Sequence, residues 1–143
     1  MTLTLVSVIL IIALIAGFLW VDLVAKKEAT TKLYTYTVSV GEKTYIITVK
    51  TNWISAPRVY LPEQESKYIN CDFIGPNRQS VNFNITIPTD LIWGNISLIW
   101  KYYEQNPDRY TLSNNGTHNS IQMSFTHTST DEHFEIHGTE GAF

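Results

Sequence analysis

The sequence predicts an antiparallel β-sandwich of seven or eight strands, immunoglobulin-like in outline, preceded by one long N-terminal hydrophobic α-helix. Three observations predict it. Residues 3 to 25 form a hydrophobic stretch broken only by Thr4, Ser7 and Asp22. From Leu33 onward the spacing of apolar residues changes from a helical period to strict alternation. Turn-forming residues then recur at short intervals, and no second helical pattern follows. The 143 residues divide into a helix over 1–32 and a domain over 33–143, large enough to bury one core.

The first element is read from its uniformity. Val8 to Val21 is unbroken apolar sequence. About 23 helical residues rising about 1.5 Å each span roughly 35 Å, enough to cross a hydrocarbon layer. Apolar on every side, such a helix must lie in lipid or in a packed assembly. Val8, Ile11, Ile12, Leu14, Ile15, Phe18 and Leu19 are the expected packing residues, with Gly17, Ala13 and Ala16 allowing close approach. Asp22 then needs a partner, and Lys26 is the nearest candidate. Lys26, Lys27, Glu28 and Lys32 carry the helix into water.

The strands follow in order. Tyr34, Tyr36, Val38 and Val40 alternate with Thr35, Thr37 and Ser39, Gly41-Glu42-Lys43 turns, and Tyr45, Ile47 and Val49 resume, so 33–51 reads as a hairpin. Pro57 and Pro62 bracket a short edge strand, Arg58 to Leu61. KYINCDF places Ile69, Cys71 and Phe73 on one face and Tyr68, Asn70 and Asp72 on the other. After Gly75-Pro76-Asn77, SVNFNITI turns Val81, Phe83, Ile85 and Ile87 inward. A strand from Ile96 to Tyr103 precedes turns at Asn106-Pro107-Asp108 and Asn114-Asn115-Gly116. The last pair is SIQMSFTH, with Ile121, Met123 and Phe125 inward, and HFEIHG, with Phe134 and Ile136 inward.

Composition narrows the class. A formal charge of −3 and a pI near 5.7 argue against nucleic acid as a partner. Charged residues are only 16% of the chain, and Ser, Thr, Asn and Tyr supply the polarity, as on many extracellular surfaces. The single cysteine, Cys71, excludes an intramolecular disulfide.

Orientation is contested within the sequence. Lys26 and Lys27 follow the hydrophobic stretch and no Lys or Arg precedes it, which by the charge rule places the domain inside the cell. Three N-x-S/T sequons, at Asn84, Asn95 and Asn115, place it outside. Removal of a basic leader before Met1 would reconcile the two, whereas Met1 as initiator gives a plain single-pass anchor. The domain is expected to be glycosylated and extracytoplasmic.

The stretch from Lys67 to Gly138 resembles a domain of archaeal surface proteins. The likeness is carried by TIP-x-x-L-x-W-G over Thr86 to Gly94 and by F-T-H-x-S…E-I-x-G-T over Phe125 to Thr139. It covers about half the chain and implies an immunoglobulin-like sandwich at a cell surface, with no chemistry attached. In such surface proteins an anchor often follows the GT element; here the sequence stops at Ala142-Phe143, so anchoring is expected from the N-terminal helix. By hydrophobicity and layout, the N-terminal helix is similar to that of an archaeal type IV pilin or archaellin, which implies a filament.

Chemistry-bearing residues are few. His133, Glu135 and His137 alternate on the outward face of the last strand, where two imidazoles and a carboxylate are weak candidates for Zn²⁺ or Cu²⁺. His127 is expected on the inward face, away from His133. Cys71, between Ile69 and Phe73, reads as a buried thiol, and Trp53, Trp93 and Trp100 as core aromatics, with a sugar platform the alternative. No nucleophile elbow, phosphate loop or carboxylate pair is present, so no enzyme and no cofactor is expected. The leading expectation is a filament subunit that contacts copies of itself and the membrane through its N-terminal helix. The alternatives are a membrane-anchored accessory subunit of an envelope or membrane complex, and a metal- or glycan-binding surface module.

Overall fold

The computed structural model describes residues 30–62, 67–76 and 78–142. The chain divides into residues Met1–Thr30 and Thr31–Phe143, and the description concerns the second unit. Ten strands build it: β1 (Lys32–Val40), β2 (Lys43–Thr51), β3 (Arg58–Tyr60), β4 (Tyr68–Ile74), β5 (Gln79–Pro88), β6 (Ile92–Trp100), β7 (Tyr103–Glu104), β8 (Tyr110–Asn114), β9 (His118–His127) and β10 (Asp131–Gly141). They form two antiparallel sheets of five, ordered β1-β2-β5-β9-β8 and β3-β4-β10-β6-β7. Each sheet is a single strand, β5 or β10, set between two hairpins.

This corrects the expected fold class. Among the described residues the only helical element is one 3₁₀ turn, Pro107–Arg109, and no helix is long and apolar enough to cross a membrane. The long N-terminal α-helix is therefore not supported. Val8, Ile11, Ile12, Leu14, Ile15, Gly17, Phe18, Leu19 and Asp22, on which its packing rested, lie outside the described residues. Among the described residues strands number ten instead of seven or eight, and the order is not that of an immunoglobulin domain, because the last of these strands is central to its sheet.

Three local differences have physical causes. The strand expected from Ile96 to Tyr103 begins at Ile92 and stops at Trp100, where Lys101 and Tyr102 make a two-residue turn into β7. Both residues have positive φ, 54° and 66°, as a type I′ hairpin turn demands, although neither is the glycine or asparagine that favours it. Strand β8 went unread because four of its five residues are exposed, leaving no apolar alternation to see. The last two strands do not pair: β9 lies between β5 and β8, β10 lies between β4 and β6, and Thr128–Thr130 crosses from one sheet to the other.

The alternation itself sorts residues between core and solvent. Val38, Tyr45, Ile47, Val49, Val81, Phe83, Ile85, Ile87, Ile121, Met123 and Phe125 face inward from the first sheet. Ile69, Cys71, Phe73, Ile92, Ile96, Leu98, Phe134 and Ile136 oppose them from the second. Phe73, Phe83, Phe125, Phe134 and Trp100 form one aromatic cluster, with centroids 4.8 to 6.0 Å apart in the contacting pairs. Cys71 is fully buried, and burial pushes its thiol well above the ordinary range. Trp53, in the β2–β3 connection, is buried, and its Nε1 donates to the Ile74 carbonyl at 3.2 Å. Tyr36 closes the β1 edge by donating its hydroxyl to the Pro57 carbonyl, and burial raises its pKa to about 12.

The two sequence elements that carried the surface-domain likeness meet at one bulge. Register shifts where Gly138 pairs with Ile96 but Glu140 pairs with Trp93, so Gly94 and Asn95 together oppose Thr139. Gly94 has φ 79°, and the Asn95 N–H donates to Thr139 Oγ1 at 3.1 Å. A Cβ on Gly138 would fall 2.8 Å from the Glu140 carbonyl oxygen and 2.9 Å from that of Trp93. Those are backbone atoms and cannot rotate away. Gly138→Ala is accordingly expected to destabilise the domain by about 1–3 kcal/mol, read as a lower urea midpoint at unchanged slope. An unchanged midpoint would mean that the bulge relaxes freely.

Candidate functional site

The outer face of the second sheet carries the densest polar array. Cross-strand register places Arg58, Asp72 and His133 in one row, Tyr60, Asn70 and Glu135 in the next, and Tyr68 beside His137 in a third. Alternation on β10 points His133, Glu135 and His137 to this face, as the sequence indicates. Arg58 donates from Nε and Nη2 to Asp72 Oδ2 at 2.9 and 2.5 Å. His133 Nδ1 lies 2.5 Å from Asp72 Oδ1, and its Nε2 lies 3.3 Å from Glu135 Oε1. His137 Nε2 meets Glu135 Oε2 at 2.7 Å, and its ring stacks on Tyr68 at 4.5 Å. Asp72 is only 1% exposed, because Arg58 and His133 cover it from either side.

Arg58, Asp72, His133, Glu135 and His137 are thus linked one to the next across this face. Both nitrogens of His133 face carboxylate oxygens, Nδ1 that of Asp72 and Nε2 that of Glu135. Among the described residues no group of three His, Cys, Asp or Glu could hold a metal ion. His127 lies in the core, fully buried, with Nε2 2.8 Å from the Phe73 carbonyl and its ring stacked on Trp53 at 4.5 Å.

The two ends of the sandwich differ. The proximal end, where Thr31 leads into β1, holds the β2–β3, β4–β5, β6–β7 and β9–β10 connections. Its organising group is Glu132, 1% exposed. Glu132 Oε1 accepts from Thr128 N at 2.8 Å, Thr128 Oγ1 at 2.9 Å and Ser129 N at 3.2 Å, while Oε2 accepts from Trp100 Nε1 at 2.8 Å. Burial alone would raise this carboxyl, but those donors outweigh it and hold the pKa at about 2. Lys101 adds an ion pair to Glu132 at 3.5 Å, donates to Thr128 Oγ1 at 2.7 Å and lies over the Trp100 ring. This network, absent from the sequence reading, was signalled there only by Thr128-Ser129-Thr130 before an acidic pair.

The distal end holds the β1–β2, β5–β6 and β8–β9 connections. Two of the three sequons lie there. Asn115 is exposed in the β8–β9 turn, its Oδ1 accepting from Thr117 N and Oγ1 at 3.0 Å and from His118 N at 2.8 Å. Asn95 is exposed beside the bulge. Asn84 faces outward from the middle of β5 but is half-buried, its Oδ1 accepting from Ser120 Oγ at 2.6 Å. A shallow groove of about 550 Å³ opens at the same end between Val40, Tyr45 and Trp93, flanked by Lys43 and Asp90. Trp93, 41% exposed, is thus the surface member of the tryptophan set, while Trp53 is buried and Trp100 belongs to the core cluster. Searches against protein-family models, curated proteins and solved structures find no match to this chain.

Proposed function

We propose that this chain is a membrane-tethered, extracytoplasmic β-sandwich module of a cell surface, with glycans on its distal end and the hydrophobic stretch of residues 3–25 as its tether. The observation that carries the reading is the polarity of the sandwich. The exposed sequons Asn95 and Asn115 lie at the end opposite the one from which the hydrophobic stretch continues. The low content of charged residues and the neutral polar surface agree with an outside location. The filament assembly expected from the sequence rested on packing of residues that lie outside the described ones, and no feature of the sandwich favours it over a single tether.

The test is insertion of the full chain into microsomes. The expected product resists carbonate extraction and carries glycan that is lost stepwise on Asn115→Gln and Asn95→Gln, with little or none at Asn84. A product that stays outside the vesicle, unglycosylated and open to added protease, would follow the charge rule set by Lys26 and Lys27 and overturn the reading.

A further inference from the structure

We propose that the proximal end of the sandwich is a lipid-contacting face that rests in the headgroup region of the membrane; this rests on the tethered-module reading above. Eight large hydrophobic side chains are exposed among the described residues. Five of them, Leu33, Ile54, Ile74, Tyr102 and Tyr103, sit at this one end, spread from the β1 edge to the β7 edge. Leu33 is the second residue of β1, Ile54 follows β2, Ile74 ends β4, and the two tyrosines tip the β6–β7 hairpin. The 29 residues preceding the described part, including the hydrophobic stretch 3–25, join the domain at this same end. A lipid surface is therefore the occupant that the chain itself brings there.

The hairpin tip supplies a second, independent argument. Lys101 and Tyr102 occupy the left-handed region at consecutive positions, as the two-residue turn requires. Glu132, Thr128 and the Trp100 ring hold Lys101 in place. The turn leaves Tyr102 88% and Tyr103 76% exposed at its tip. Tyrosine is the residue type whose apolar ring and polar hydroxyl suit the membrane–water boundary. Lys32, Arg78 and Arg109 lie at the same end and are exposed, placing cations where anionic headgroups would meet them, with Glu104, Asp108 and Asp131 the exposed acids beside them.

The experiment uses the full chain in vesicles of phosphatidylcholine with phosphatidylglycerol, labelled at one introduced cysteine. The native Cys71 is fully buried and stays unlabelled, which the parent chain controls. An environment-sensitive dye on Tyr102→Cys is compared with the same dye on Glu42→Cys, in the distal β1–β2 turn. The expected result is that the dye at position 102 is several-fold less quenched by aqueous iodide and is quenched by bromine on lipid chains, while the dye at 42 behaves oppositely. Equal iodide access at the two positions, in a chain that inserts, overturns the lipid face and leaves the tether intact. A dye at 102 shielded from iodide but untouched by brominated lipid places a second copy of the protein there and also overturns it. A chain that fails to join the vesicles overturns both readings.

Discussion

Phe134→Ala is expected to be among the most destabilising single substitutions in the sandwich, at about 3–5 kcal/mol. Phe134 lies on β10, the central strand of its sheet, and is fully buried. Its ring stands 4.8 Å from Phe125 and 5.1 Å from Phe83 of the facing sheet, and 5.5 Å from Trp100 and 5.8 Å from Phe73 of its own. Truncation removes the transfer energy of the ring and leaves a cavity that four large aromatic neighbours cannot collapse into without leaving their rotamers. For a domain of this size the loss corresponds to a fall in melting temperature on the order of 15 °C. Phe134→Leu should recover most of it, and Tyr102→Ala, exposed at the hairpin tip, should change stability by less than about 0.5 kcal/mol. Thermal unfolding of the three variants checks the ranking. A Phe134→Ala loss no larger than that of Tyr102→Ala would mean that the aromatic cluster is not the core.

Glu132→Gln is expected to cost about 2–4 kcal/mol near pH 7, although it removes no volume. Both oxygens of Glu132 accept, Oε1 from two backbone amides and a hydroxyl and Oε2 from the Trp100 indole, with Lys101 ion-paired to Oε2. Whichever oxygen becomes an amide NH₂ then meets donors with no acceptor left for them. The pH dependence follows from the same contacts. The native carboxyl is held at about 2, below its ordinary value of 4.5, so the unfolded chain takes up its proton at higher pH than the folded one. Its contribution is fully present above about pH 4.5 and is lost as pH falls from there toward 2. A shift of this size corresponds to roughly 3 kcal/mol. Urea unfolding across pH 7 to 2.5 should show a wild-type decline that Glu132→Gln lacks. Parallel decline of the two proteins would show that other carboxylates dominate acid unfolding.

How far each feature was legible follows from where its cause lies. The hairpin at 34–49 could be read because side chains alternate along a single strand and one face is buried, so the pattern is local. The inward set on β5 and β9 was legible for the same reason. Strand β8 was not, because it is an exposed edge strand whose pairing with β9 leaves no apolar signature. The early start of β6 was hidden by Gly94, which reads as a strand end until Thr139 is placed opposite it. Of the polar residues, the shared face of His133, Glu135 and His137 followed from spacing on one strand. Their partners Asp72, Arg58 and Tyr68 did not, since they arrive from β3 and β4.

Sequence by itself determined that the described part is built of strands, which residues of most strands face the core, and that Cys71 is a buried thiol and not half of a disulfide. Those properties depend on neighbours one or two positions away, or on a count. Only the tertiary structure decided which strands pair, that β9 and β10 belong to different sheets, and that Glu132 gathers its donors from Trp100, Lys101, Thr128 and Ser129. It also set the exposed sequons at one end and the exposed aromatic tip at the other. Strand order depends on contacts between residues tens of positions apart, and a period-two pattern records which face a side chain takes but not which strand lies beside it.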